Sequence, residues 1–174
     1  MPRRDIQLTK SILTLAGSRA AAVCALLAAA VAPAAGATLS HGVDVKADPS
    51  AVWSVIGPFC AIRDWHPAIG AFATDGKTPP TRTLVTRDGK ATFVELQTGR
   101  SDAKHRYSYS FVSSPVPVTN YRSTFQVVAK GGGVSTVTWS GAYTPNPGME
   151  KAASDMLNGI YESGLAAIKA KFPN

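Results

Sequence analysis

Cysteine is nearly missing from this chain, and its scarcity removes whole classes of protein. Of 174 residues only Cys24 and Cys60 are cysteines, so there is no disulfide framework and no Cys-x-x-Cys motif. Histidine is equally sparse. His41, His66 and His105 stand far apart without metal-ligand spacing, which argues against a zinc site. A phosphate loop, a dinucleotide fingerprint and a Ser-His-Asp order are also absent. These absences weigh against a self-contained hydrolase or redox enzyme, and no cofactor or metal is implied. Long apolar runs are missing as well. The stretch Ala20 to Val31 is shorter than the roughly 20 residues that a bilayer helix needs.

That stretch has another meaning. It follows a segment carrying Arg3, Arg4, Lys10 and Arg19 against the single acid Asp5, and it leads into Ala35-Gly36-Ala37. A basic start, a short apolar centre and an A-x-A site make a secretory signal peptide. The expected plan is a leader over residues 1–37 and one domain over 38–174. The product would be periplasmic or secreted after cleavage near Ala37, with no stable membrane span. An uncleaved anchor is the alternative. Arg3-Arg4 resembles a twin-arginine signal, but the residues after it fit that pattern poorly, so the export route stays open. Removing 1–37 takes four of 18 basic and one of 11 acidic residues, so the net charge falls from +7 to +4. The remaining Lys and Arg are scattered among acids without a basic stripe, which argues against a nucleic-acid partner. Cys60 is left alone and is expected to be a small buried apolar residue.

Periodicity sets the rest. Leu39 to Lys46 alternates as a first strand. Asp48-Pro49 opens a short helix that ends at Gly57-Pro58, with Asp48 expected to cap it. A second short helix or turn covers Cys60 to Asp64. Strands follow over Ile69 to Thr74, Arg82 to Arg87, Lys90 to Gln97, His105 to Val112, Tyr121 to Val128 and Val134 to Tyr143. Tyr107, Tyr109 and Phe111 share one face, as do Val137, Trp139 and Tyr143. Asn146-Pro147 then starts an amphipathic helix of about six turns. Its apolar stripe is expected at Met149, Ala153, Met156, Ile160, Leu165 and Ile168, with Leu157 and Tyr161 beside it. Antiparallel strands must bury one face, and the last helix is the only element large enough to cover it. The expected class is α+β, a curved seven-stranded antiparallel sheet around a long C-terminal helix, with two short helices after the first strand.

The Asp88-Gly89 signal allows residues to be paired. A two-residue turn there opposes Arg87 to Lys90, Leu84 to Phe93 and Arg82 to Glu95. On the outer face Arg82–Glu95 would be a surface pair worth about 0–1 kcal/mol. On the inner face it would be a desolvated polar anchor. Leu84 and Phe93 share that face and favour the inner option.

The pieces Asp48-Pro49-Ser50-Ala51-Val52-Trp53, Trp65-His66-Pro67, Arg82 with Leu84, Glu95-Leu96, Tyr107-Ser108-Tyr109, Pro115-Val116-Pro117-Val118 and Gly159-Ile160-Tyr161 occur in this order. Together they resemble the polyketide cyclase/dehydrase and lipid-transport (SRPBCC) branch of the START/Bet v 1-like superfamily, over nearly all of Val43 to Lys171. The resemblance implies a helix-grip fold whose cavity, between sheet and C-terminal helix, holds a small hydrophobic or aromatic molecule. Candidate ligand-binding residues are Trp65, His66, Arg82, Glu95, Tyr109, Tyr121, Trp139 and Tyr161. His66 is read in preference as a structural corner bonded to backbone, and about half of the aromatics as plain core.

Two functions from different classes remain open. The leading one is an exported binding or carrier protein, with Arg82 and Glu95 fixing a polar end of the ligand. The other is a cyclase or dehydratase acting on a carbonyl compound, with Glu95 or His66 as base and Arg82 or a tyrosine as oxyanion partner. An accessory role for a periplasmic oxidase is a third possibility. No catalytic residue is assigned, and the ligand and any protein partner stay unnamed.

Overall fold

The structure, a computed structural model, describes residues 35–173. The leader expected over 1–37 lies outside these residues except at its end, where Ala37 already opens the first strand. The strands are β1 (Ala37–Val45), β2 (Ile69–Thr74), β3 (Thr81–Thr86), β4 (Thr92–Ser101), β5 (Arg106–Ser113), β6 (Val118–Gly131) and β7 (Val134–Pro145). They form one antiparallel sheet in the order β1-β7-β6-β5-β4-β3-β2. The helices are α1 (Pro49–Ile56), α2 (Ile62–Trp65) and α3 (Glu150–Lys171). A 3-10 turn over Phe59–Ala61 joins α1 to α2. The short helices carry the chain from β1 at one edge to β2 at the other, and every later strand pairs with its predecessor. The result is the helix-grip α+β fold.

Burial follows the pleat. On β6 the inward residues are Tyr121, Ser123, Phe125 and Val127; on β7 they include Val137, Trp139 and Tyr143. Period-2 alternation puts each set on one face, and that face meets α3. Helix α3 packs on β1, β7 and α2. Its buried stripe is Ala153, Leu157, Tyr161, Gly164, Leu165 and Ile168. This corrects the expected stripe. Met149 and Met156 are 49% and 41% exposed, and Ile160 is half-buried. The apolar residues span more of the helix than its contact face, so hydrophobicity alone centred the stripe about one position away. Leu157 and Tyr161 are its middle.

Two glycines let α3 approach. A Cβ on Gly164 would stand 2.8 Å from both the His66 and Trp139 rings, and one on Gly141 would stand 2.6 Å from the Tyr161 hydroxyl. Real side chains do not tolerate such contacts, so both positions require the missing Cβ.

Other expectations are corrected in detail. Asp48 precedes α1 but makes no capping hydrogen bond; Pro49 at the first helical position carries the start. The last helix begins at Glu150, because Asn146 to Gly148 form a turn first, with Gly148 left-handed at φ 75°. His105 is left-handed at φ 42° just before β5 and is not part of it. Cys60 is half-buried, and among the described residues it is the single cysteine. Among the described residues no helix is long and apolar enough to cross a membrane.

Candidate functional site

The β3–β4 hairpin brings the first site residues together. Arg82 pairs with Glu95 and Leu84 with Phe93, the register that the Asp88-Gly89 turn implies. The last pair of the ladder is Val85 with Thr92, and Gly89 turns with φ 70°. The loop is therefore longer than two residues, yet it adds equally to both sides and leaves the register unchanged. Arg82 Nε donates to Glu95 Oε2 at 2.6 Å, with side-chain exposures of 0% and 5%. Nη1 donates to the Phe59 carbonyl, and the guanidinium lies 3.9 Å above the Phe59 ring. Nη2 has no partner.

Burial works against the Arg82 charge, but Glu95 with Tyr107 and Tyr109 more than offsets it, so Arg82 titrates above its ordinary value. Burial also pushes the Glu95 carboxyl up, and Arg82 opposes that push. A mutually stabilising pair would lower the acid, so on Glu95 desolvation is the larger effect. Arg82 stays charged, and Glu95 is the partner that can give way.

A chain of hydroxyls runs from the sheet to α3. Tyr109 Oη lies 3.5 Å from Tyr121 Oη, Tyr121 Oη 2.7 Å from Tyr161 Oη, and Tyr161 Oη 2.8 Å from Ser123 Oγ. Ser123 donates to the Ser140 carbonyl at 2.9 Å. That carbonyl can only accept, so Ser123 spends its hydrogen there. Tyr161 must then donate to Ser123, and Tyr121 to Tyr161. At the other end the Trp139 indole donates to Tyr109 Oη at 3.1 Å and to Ser123 Oγ at 2.9 Å. The remaining hydrogen, on Tyr109, has only the long 3.5 Å contact to Tyr121. Burial raises the pKa of all three tyrosines, so they act as neutral hydroxyls. Ser123 was not among the candidates, although its place between Tyr121 and Phe125 on the inner face of β6 was readable.

His66 uses both ring nitrogens on backbone. Nε2 lies 3.0 Å from the Ile160 carbonyl, so it carries the hydrogen, and Nδ1 accepts from the Ala68 N–H at 3.2 Å. The ring thus ties the α2–β2 corner to α3. Burial pushes its pKa down against the Ile160 hydrogen bond, and Arg82 adds to the fall. A second proton would break the Ala68 bond, so the geometry is that of a neutral structural histidine.

These elements enclose a cavity of about 70 Å³. Of the eight candidates, His66, Glu95, Tyr109, Tyr121 and Trp139 line it. Arg82, Trp65 and Tyr161 do not. Arg82 sits behind Glu95, Trp65 packs edge-on against Phe125 and Trp139, and Tyr161 stacks on Trp139 at 4.2 Å. Apolar residues outside the eight candidates extend the wall: Ile62 and Ile69, Phe93 and Phe111, Leu157 and Ile160. Nothing distinguishes them in sequence from ordinary core. Thr86, Phe111 and Ile160 are half-buried and Ala68 is exposed, which places the opening between β3, β5 and α3. Pockets for drug-sized ligands run to about 300–1,000 Å³, so this cavity suits a compact molecule. Among the described residues no group of three or more His, Cys, Asp or Glu could hold a metal.

Residues 36–173 match the model of the family described as polyketide cyclase / dehydrase and lipid transport. No curated protein matches. Among solved structures, the protein XoxI from Bacillus cereus is similar at 34% identity and TM-score 0.73, over 78% of this chain and 95% of that one. Norcoclaurine synthase from Thalictrum flavum, in complex with dopamine and hydroxybenzaldehyde, shares the fold at 17% identity and TM-score 0.66, over 79% and 87%. The Zhui aromatase/cyclase from a Streptomyces species does so at 14% and 0.64, over 79% and 93%.

Proposed function

The chain belongs to the polyketide cyclase/dehydrase and lipid transport family, and from that premise we propose that it is an exported protein that binds and carries a compact hydrophobic or aromatic molecule. The observation that supports this is the mainly apolar cavity between sheet and α3, into which few polar groups converge. Such sites hold small molecules by apolar contact and orient them by a few hydrogen bonds. The cavity's size favours a molecule of a few heavy atoms over a long acyl chain. Export rests on the basic, apolar and A-x-A pattern of residues 1–37.

A second reading, an enzyme acting on a carbonyl compound, draws on one feature. Glu95 has a carboxyl pushed up by burial and lies on the same wall as the Tyr109 hydroxyl, the pairing that acid–base chemistry needs. The ion pair with Arg82 counts against it, because it commits the carboxylate to a structural partner.

Native mass spectrometry of the protein taken from the cell envelope tests the leading reading. The expected result is a chain beginning near Thr38 that carries a small-molecule adduct. Ile160→Phe, which fills the cavity from α3, should lose the adduct and keep the fold. An adduct unaffected by Ile160→Phe, or an intact Met1, overturns the cavity assignment or the export assignment respectively.

A further inference from the structure

The fold encloses the bond at which the leader is expected to be cut. Ala35-Gly36-Ala37 places that bond between Ala37 and Thr38. In the folded chain both residues belong to β1, where Ala37 pairs with Tyr143 and Thr38 with Ala142 of β7. Ala37 is half-buried and packs against the core, as does Leu39 two residues on, and Tyr143 opposite is 6% exposed. A peptidase takes its substrate as extended chain, with the scissile carbonyl in its own active site. A bond inside a strand pair meets that need only while the strand is detached, so its cutting follows the detached fraction.

The product has no such conflict. Water adds across the bond and leaves a carboxylate on Ala37 and an amine on Thr38. Thr38 is exposed, so the new charge stays in water, and Thr38 to Val45 keep their partners on β7. Folding thus blocks the reaction but not its product. The next A-x-A run upstream, Ala32-Pro33-Ala34, ends before Ala35 and therefore before β1 begins. Resting on the export reading above, we infer that the leader is removed after Ala37 before β1 joins the sheet. The chain crosses the membrane unfolded, is cut, and then closes its sheet with Thr38 as the first residue of β1. This decides the export route that Arg3-Arg4 leaves open, in favour of one that threads unfolded chain. A route that carries folded domains delivers a chain whose Ala37–Thr38 bond is already shut in the sheet.

The test sets three substrates against a purified bacterial signal peptidase and reads each new N-terminus by mass spectrometry. One is the folded full-length precursor. The second is the same precursor with Leu157→Asp, which puts a charge into the buried stripe of α3 and unfolds the domain, as circular dichroism verifies. The third is a synthetic peptide of residues 15–50. The peptide and the unfolded variant should be cut between Ala37 and Thr38 at similar rates. The folded precursor should be cut there at least about tenfold more slowly, equal to about 1.4 kcal/mol of strand detachment. A folded precursor cut at that bond as fast as the peptide, or an unfolded variant as slow as the folded precursor, overturns the inference and leaves export standing. A peptide cut after Ala34 instead overturns it too. A peptide left intact at every bond overturns the export reading, and this inference with it.

Discussion

Breaking the Arg82–Glu95 pair one partner at a time should show which charge the fold can tolerate alone. Both side chains are removed from water, at 0% and 5% exposure, and among the described residues one Arg82 nitrogen has no partner even in the intact pair. Removing one member of such a pair costs about 3–5 kcal/mol, because the survivor keeps an uncompensated buried charge. The two survivors differ. Arginine cannot shed its proton inside a protein, so Glu95→Leu leaves a cation held by the Phe59 carbonyl and by the Phe59 and Tyr109 rings. Glutamate can take a proton, and burial already pushes Glu95 that way. Glu95→Leu should therefore sit at the upper end, about 4–5 kcal/mol, and Arg82→Met nearer about 3. The Arg82→Met loss should also shrink in mild acid, where the stranded carboxyl protonates, while the Glu95→Leu loss does not. The double change strands no charge and should return to within about 1 kcal/mol of the parent. Urea melts of the four proteins, at neutral pH and about pH 5, measure the cycle. Losses that simply add in the double variant, or single losses below about 1 kcal/mol that salt abolishes, would refute the reasoning.

Further outcomes follow from the packing around α3. His66 is held neutral, with a folded pKa below its ordinary value. The unfolded chain therefore binds that proton first, so the His66 contribution is full above about pH 6.5 and is lost as pH falls through the folded value. His66→Phe should flatten the stability profile relative to the parent between about pH 7 and 5, and parallel profiles in denaturant melts would contradict this. Gly164→Ala forces a Cβ against the His66 and Trp139 rings and should cost about 1–3 kcal/mol, although alanine is the better helix former. A thermal melt at or above the parent's would mean that the helix can move away from the sheet. Leu157→Ala should cost about 2–5 kcal/mol and Met156→Ala under about 0.5. Equal losses in urea would return the buried stripe to the position first expected.

Much of the architecture was written along the chain. Alternation in Tyr107-Ser108-Tyr109 and in Val137-Thr138-Trp139 is a local property of extended backbone, and it names the buried face without any tertiary knowledge. The pairing of Arg82 with Glu95 was equally legible. An antiparallel register depends only on where the turn is centred, and the loop around Asp88-Gly89 lengthened symmetrically. Helix starts divided. Asp48-Pro49 opens α1 where expected, but Asn146, which looks like a cap, precedes a turn, because which residue begins a helix depends on where its first turn can pack.

The site itself divides along the same line. Residue types and faces identified Glu95, Tyr109, Tyr121 and Trp139 as inward polar or aromatic groups, and the cavity wall contains all four. Their spacing along β4 to β7 was enough for that, because the pleat is set residue by residue. The sequence could not say that Glu95 lines the cavity while its partner Arg82 does not. Nor could it say that His66 spends both nitrogens on Ala68 and Ile160, or that Tyr161 and Ser123 complete one hydroxyl chain. The Tyr161–Ser123 and His66–Ile160 contacts join residues 38 and 94 positions apart, and the order of Arg82 and Glu95 ranks two neighbours by depth. Only the curvature of the sheet around α3, and the approach that Gly141 and Gly164 permit, decides which side chain reaches the cavity first and which is sealed behind it.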